Sequence, residues 1–310
     1  MSTLTIRLFG GFQIAHEAWE RELKVTRSVQ NLLAFLLVER HRLHPREVLA
    51  GLFWGDHSEE QARSCLSTVL WRLRRLLEPQ NIPKGTYLVT TLAEVGFNSE
   101  SDHWLDVAVF EDQVGPVLKK PSRAMEADEA CRLKNAIDLH MGELLEGFYD
   151  DWALRERERL RSLYLKSLAH LMRYYQHHGL YENAITCGLQ ILNHDPLREE
   201  IHREVIRLYL KNGQRALAMR QYKACCQILE DELGIPPMEE TQALYTEIVE
   251  PSGPQRRKSA LLQAQGIATS KDPASLEQAF QKFHEAMQHF DKTREEFQRA
   301  IRLLETITKR

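Results

Sequence analysis

The chain has 310 residues, 43% hydrophobic and 27% charged, with a formal net charge of −3. That length exceeds one compact all-helical domain and indicates two or three, and the composition is that of an ordinary globular protein. The longest apolar runs, such as Leu32–Val38, fall far short of the ~20 residues that span a bilayer, and no cationic stretch with an apolar core opens the chain, so neither a membrane span nor a secretory signal is expected.

Charge is unevenly distributed. Residues 1–100 hold 12 Lys/Arg against 11 Asp/Glu, residues 101–250 hold 18 against 26, and residues 251–310 hold 11 against 7. A near-neutral head, an acidic middle and a basic tail argue for regions with different partners. The five cysteines (Cys65, Cys131, Cys187, Cys225 and Cys226) contain no CxxC pair. They exclude a disulfide framework, argue against structural zinc, and read as small buried hydrophobes in a reducing cytosol.

Leu4, Ile6 and Leu8 alternate, Gly10-Gly11 turns the chain, and Phe12 and Ile14 resume the pattern, which predicts a β-hairpin. After Thr26 the period changes. Val29, Leu32, Leu33, Leu36 and Leu37 recur at helical spacing. A second short helix follows in HPREVLAGLFW, with Pro45 in its first turn and Val48, Leu49, Leu52 and Phe53 as its apolar stripe. Gly55–Ser58 reads as a turn, with Ser58 capping a third helix.

In that third helix Leu66, Val69, Leu70, Leu73 and Leu77 share one face. The opposite face carries Ser64, Thr68, Trp71 and Arg75, flanked by Ser67 and Arg72. Between Gln61 and Thr86 there are five Lys/Arg and one acidic residue. Such a face has the composition of a recognition helix. Hydroxyls reach base edges or phosphates, and arginines grip guanine bidentately or anchor the backbone. Ser64, Ser67 and Thr68 are expected at the major-groove floor, with Arg72 and Arg75 further along. Trp71 either stacks on the nucleic acid or packs under the preceding loop or on the next domain. Arg63 and Arg74 lie nearer the buried flank and are expected to pair with Glu59, Glu60 or Glu78.

Pro79, Pro83 and Gly85 end the helix. The stretch TYLVTTLAEVGFNSE then alternates as a second β-hairpin, turning near Ala93-Glu94. Lys84 and Thr86 at its base are placed to touch phosphate, while the tip is not basic. Three helices with a sharp turn before the third, closed by a hairpin, describe a winged helix-turn-helix.

From about Trp104 the chain reads as helical, interrupted by Pro116–Pro121 and by Gly147–Asp150, where Asp151 is the expected cap before Trp152. A repeat follows. Gly179 and Gly213 are 34 residues apart, as are Ala184 and Ala218, Tyr175 and Tyr209, and Ile185 and Met219. That period of helix, small-residue turn, helix is the tetratricopeptide signature. The glycines read as C-caps, and Arg123–Leu145, Trp152–His177 and Met238–Val249 as flanking or capping helices.

Residues 251–275 read as a linker. Beyond it Leu276, Phe280, Phe283, Met287, Phe290, Arg294, Phe297, Ile301, Leu304 and Thr308 step by 4,3,4,3. That heptad seam predicts a helix that either self-associates as a coiled coil or packs on the protein's own helical domain. Phe280, Phe283, Met287, Phe290, Phe297, Ile301 and Leu304 are its candidate oligomerisation residues.

The stretch from Thr26 to Glu78, with HPREVLAGLFWGD and the run Ala62–Leu77, resembles the OmpR/PhoB-type winged helix. It is similar in particular to the Streptomyces antibiotic regulatory protein (SARP) family. HWLDVAVFE, FYDDWALRERERL and LEDELGIPPMEETQALY resemble the bacterial transcriptional activator domain that follows the winged helix there. The resemblance covers about residues 4–249. It implies an activator that binds promoter direct repeats with two or more protomers side by side, a homodimer on DNA, and recruits RNA polymerase. It carries the recognition-helix contacts to Ser64, Ser67, Thr68, Arg72 and Arg75. The heptad helix departs from the family pattern.

No GxSxG, HExxH, GxGxxG or GxxxxGK occurs, so no enzyme activity, cofactor or metal is expected. Tyr174 and Tyr175 read as repeat core, and His177-His178 as a helix C-terminus. The fold expected is mainly α. Residues 1–100 form a winged helix with β-hairpins, 101–250 a tetratricopeptide-like all-α domain, and 251–310 a linker and heptad helix. The function expected is cytoplasmic, nucleoid-associated transcription activation on double-stranded DNA. The alternative is a protein-interaction scaffold built on the repeat domain, with DNA binding lost.

Overall fold

The computed structural model describes residues 4–16 and 25–250. The heptad seam and its oligomerisation residues Phe280–Leu304 lie outside the described residues. Strand β1 (Leu4–Arg7) pairs antiparallel with β2 (Gln13–His16), placing Ile6 opposite Ile14, with Gly10-Gly11 between them. Leu4, Ile6 and Leu8 are fully buried.

Helix α1 (Arg27–Val38) buries Val29, Leu32, Leu33, Leu36 and Leu37. A two-residue strand β3 (His44–Pro45) leads into α2 (Arg46–Trp54). Pro45 is therefore the residue before the helix rather than part of its first turn. Its fixed φ and absent N–H suit an extended entry as well as a helical one. The α2 stripe is narrower than its sequence suggests. Leu49 and Ala50 are buried, whereas Val48 and Leu52 face solvent. Helix α3 (Glu59–Leu77) starts at Ser58, whose Oγ accepts from the Gln61 N–H while the Gln61 side chain accepts from the Ser58 N–H. This reciprocal pair satisfies two otherwise orphaned donors at the helix start.

The wing is β4 (Leu88–Thr90) antiparallel to β5 (Glu94–Phe97), and β3 adds a third strand on the other side of β5. The chain does not become helical at Trp104. His103–Leu105 form strand β6, which pairs parallel with β1. A parallel partner about a hundred residues away leaves no local periodic mark.

The body follows: α4 (Asp106–Leu118), a 3₁₀ turn (Ser122–Ala124), α5 (Ala127–Asp138), α6 (Asp151–His177), α7 (Tyr181–His194), α8 (Glu199–Lys211), α9 (Arg215–Leu233) and α10 (Glu239–Val249). Helix α4 continues through Pro116, so the break begins only at Lys119. The expected helix Arg123–Leu145 is the shorter α5. At α6 the cap is Asp150 rather than Asp151, which is already helical. Asp150 takes the extended backbone of a cap, and its carboxylate accepts from Asn31 Nδ2 at 3.1 Å.

Consecutive helices α6 to α9 pack as two helix pairs in register with the 34-residue period. Gly179 and Gly213 end the first helix of each pair at φ +70° and +73°, a conformation in which a Cβ would be strained. Ala184 and Ala218 are fully buried. Of the cysteines only Cys187 and Cys225 are buried; Cys65 and Cys226 are half-buried and Cys131 is exposed. The exposed Cys131 overturns the reading of all five as core residues. It lies on the solvent side of α5, opposite Ala130 and Leu133.

Head and body share one continuous core from Leu4 to Leu208. The Asp106 carboxylate, at the start of α4, accepts from the backbone N–H of Leu8 at 2.8 Å, Phe9 at 2.9 Å and Val107 at 2.7 Å. Phe35 of α1 meets Trp152 of α6 edge-on at 5.4 Å. Arg27 donates to the Gly147 carbonyl at 2.6 Å and lies over the Phe148 ring at 3.6 Å. Arg40, buried beneath α4, donates to Glu111 at 2.9 Å.

Candidate nucleic-acid interface

Helix α3 sorts its residues by chemistry. Leu66, Val69, Leu70, Leu73, Leu76 and Leu77 are buried against α1 and α2. Ser64, Ser67, Thr68, Trp71, Arg72 and Arg75 are all exposed. The six residues expected on the outer face therefore share one solvent-facing surface.

Two of the hydroxyls have a defined hydrogen-bonding state. Ser67 Oγ donates to the Arg63 carbonyl at 2.8 Å, and Thr68 Oγ1 to the Ser64 carbonyl at 3.0 Å. Their single protons are directed into the helix, so their lone pairs face outward as acceptors. Arg72 and Arg75 supply donors alone. Trp71 is 58% exposed, and the Arg75 guanidinium lies over its ring at 4.9 Å. The indole thus packs neither under the preceding loop nor on the body, one of the two readings its sequence allowed. A cation over the indole face is attracted by the ring quadrupole, which holds both groups outward.

Arg63 and Arg74 are engaged elsewhere, as expected. Arg63 pairs with Glu47 at 3.1 Å and Glu59 at 3.6 Å. Arg74 pairs with Glu78 at 3.7 Å and also donates to Thr90 Oγ1 of the wing. Glu78 is the residue that sequence reasoning undervalued. It is buried, and its Oε1 accepts from the N–H of Gly85 (3.0 Å), Tyr87 (2.9 Å) and Leu88 (3.0 Å). It is the single acidic residue between Gln61 and Thr86. Its charge is directed inward to the wing base, so the solvent face of that stretch is basic throughout. An acid at a helix end followed by Pro-x-x-x-Pro was the available signal, but three amide partners cannot be read from it.

Lys84 is exposed beside the wing base, and Thr86 is half-buried with Oγ1 donating to the Pro83 carbonyl at 2.8 Å. At the wing tip Thr91 Oγ1 accepts from the Glu94 N–H at 2.9 Å, and Leu92 is fully exposed. The tip carries no cation. The body holds a cavity of about 350 Å³ between α5, α6 and α7, floored by Ile137, Leu168 and Leu171. Among the described residues no group of three or more His, Cys, Asp or Glu is arranged to hold a metal ion, and no helix is long and apolar enough to cross a membrane.

A winged helix whose sheet is completed by the first strand of a helical-repeat body defines a two-part architecture. Residues 105–249 match the family profile of the bacterial transcriptional activator domain, which begins at the last residue of β6. Over 269 residues the chain is 30% identical to the regulatory protein AfsR of Streptomyces coelicolor, an alignment covering 84% of this chain and 26% of that protein. Over 224 residues it is 24% identical to the regulatory protein AfsR of Streptomyces griseus, covering 70% of this chain and 22% of that protein. The chain thus spans about a quarter of the length of these curated relatives. The fold is shared with Mycobacterium tuberculosis EmbR, solved in complex with a low-affinity phosphopeptide, at a TM-score of 0.66 and 20% identity over 86% of this chain and 70% of that one. Residues 105–249 thus match the bacterial transcriptional activator domain, and the chain as a whole is similar to SARP-type regulators, which join such a head to that domain.

Proposed function

We propose that this protein is a sequence-specific DNA-binding transcriptional activator. It reads promoter-proximal direct repeats through α3 and recruits RNA polymerase, acting in the cytoplasm on the nucleoid as a homodimer on DNA. The observation that supports this reading most directly is the exposed face of α3, where acceptor hydroxyls, the Trp71 indole under Arg75 and the Arg72 guanidinium stand together. Acceptors at Ser67 and Thr68 suit the amino groups of adenine or cytosine in the major groove, and Arg72 suits guanine. Arg75, Lys84 and Thr86 are assigned to phosphate, which fixes register without reading sequence. Residues 101–250 carry 18 Lys/Arg against 26 Asp/Glu. The body therefore repels the duplex and confines contact to the head, leaving its own surface for protein partners. The reading requires no cofactor and no metal.

Titrating labelled promoter fragments with wild type and with Arg72→Ala/Arg75→Ala tests it. Wild type is expected to select fragments with a repeated motif. The double variant is expected to lose about 10- to 100-fold in affinity, the range of one good base contact with added phosphate loss. Equal affinity in the two proteins, or no preference among fragments in wild type, overturns the assignment of α3.

A further inference from the structure

The cavity between α5, α6 and α7 takes no part in the proposed DNA contact. Its volume of about 350 Å³ lies at the lower end of the range for small-molecule sites. The floor is apolar, with Ile137, Leu168 and Leu171 at most 4% exposed. Cys187 joins them, and burial pushes its thiol pKa up to about 12, so the floor carries no charge. The rim is polar and has a direction. Across the turn at Gly179 the Leu180 N–H donates to the Tyr175 carbonyl at 2.9 Å, so Tyr175 of α6 and Glu182 of α7 mark one end of the cavity. From that end Leu171 and Leu168 recede along α6, and Thr186 and Gln190 along α7.

Three charged side chains line the cavity. Lys134 and Asp138 of α5 pair with each other at 2.5 Å. The Glu182 carboxylate has no ion-pair or hydrogen-bond partner among the described residues, and neither has the Tyr175 hydroxyl. Unpaired polar groups that converge on an apolar floor distinguish a ligand site from a packing gap, whose lining is apolar throughout. The three charges sum to −1, and residues 101–250 around them hold 18 Lys/Arg against 26 Asp/Glu. An anion is repelled from such a site and a cation drawn to it.

We propose that this cavity binds a small amphipathic amine. The apolar part of the ligand covers Leu168 and Leu171. Its ammonium group lies at the α6–α7 end, donating to the Glu182 carboxylate beside Tyr175. That charge-assisted bond selects a cation, and the Tyr175 ring adds to the selection. Thr186 Oγ1 already donates to the Glu182 carbonyl at 3.0 Å, so it offers the ligand an acceptor alone. The inference does not depend on the DNA-binding reading of α3.

Calorimetric titration of the full-length protein with phenylbutylamine, phenylbutanol and phenylbutyrate tests the proposal, because the probes share one apolar tail and differ in head-group charge. The amine is expected to bind about tenfold more tightly than the alcohol, the effect of one hydrogen bond to a charged group, and the butyrate not to bind. Glu182→Gln, a change of charge at an exposed position, is expected to remove the advantage of the amine and leave the alcohol unaffected. Thr186→Trp, which sets an indole over the cavity from the exposed side of α7, is expected to abolish binding of both at unchanged helical circular dichroism; if it fails to fold, Glu182→Gln decides alone. No binding of the amine to wild type overturns the proposal, as does equal or tighter binding of the alcohol or the butyrate. An amine affinity unchanged in Glu182→Gln, or one that survives in folded Thr186→Trp, places the binding elsewhere and also overturns it.

Discussion

Glu78 shows how one side chain sets the shape of the candidate interface. Its Oε1 gathers three backbone N–H groups at the wing base, and Arg74 approaches its other oxygen while also bonding Thr90. Helix α3 and the wing are thereby tied together by a buried side chain. Removing a buried acceptor leaves donors unsatisfied, each at about 1–3 kcal/mol. Glu78→Ala is expected to lower stability by about 3 kcal/mol in urea unfolding, at the upper end of what one buried acceptor supplies. Glu78→Gln, which keeps one acceptor oxygen, is expected to lose about half as much. A loss below about 0.5 kcal/mol in Glu78→Ala, the level of an ordinary surface substitution, would show that the wing base is held by other contacts.

At the scale of elements, the head and body are joined through a strand rather than a linker. β6 completes the sheet of β1 and β2, and Asp106, one residue later, accepts from the N–H groups of Leu8, Phe9 and Val107. Burial pushes the Asp106 carboxyl above the usual range, while those backbone bonds pull it the other way. Asp106→Asn replaces one carboxylate oxygen by a donor that faces N–H groups. It is expected to cost about 2 kcal/mol and to lower the melting temperature accordingly. A melting temperature unchanged within a degree would mean that the sheet alone holds the junction. The helix α3 was legible because a 3.6-residue period is local, and the same period placed Ser64, Ser67, Thr68, Trp71, Arg72 and Arg75 on one side. The 34-residue repeat was legible for the same reason, since Gly179 and Gly213 mark it in the chain itself. β6 was not, because three residues paired with a strand about a hundred positions earlier carry no period. The exposure of Val48 and Leu52 was hidden as well, since an apolar residue reads the same whether it is buried or open at a surface.

Across the described molecule, buried histidines make stability depend on pH. His44 packs on Phe35 at 4.9 Å, His170 is buried in α6, and His202 lies 3.0 Å from the Pro196 carbonyl. In all three, burial lowers the imidazole pKa. His140 stacks on Tyr164 at 4.0 Å, meets Phe9 of the head at 4.7 Å, and faces His194 at 6.1 Å. Burial first, and the His194 charge second, lower its pKa to about 4. The unfolded chain takes up protons at these sites below pH ~6.5, while the folded state takes them up only at lower pH. Their contribution is therefore complete above about pH 6.5 and declines as pH falls, for His140 down to about pH 4. Asp106 acts in the opposite sense, because its raised pKa favours protonation of the folded state, so the comparison must be made between variants. Between pH 7.5 and 5.5 the wild type is expected to lose about 1 kcal/mol more stability than His140→Gln in matched denaturant titrations. The same pH slope in the two proteins would show that His140 titrates as an exposed imidazole, and that the aromatic joint between head and body admits water.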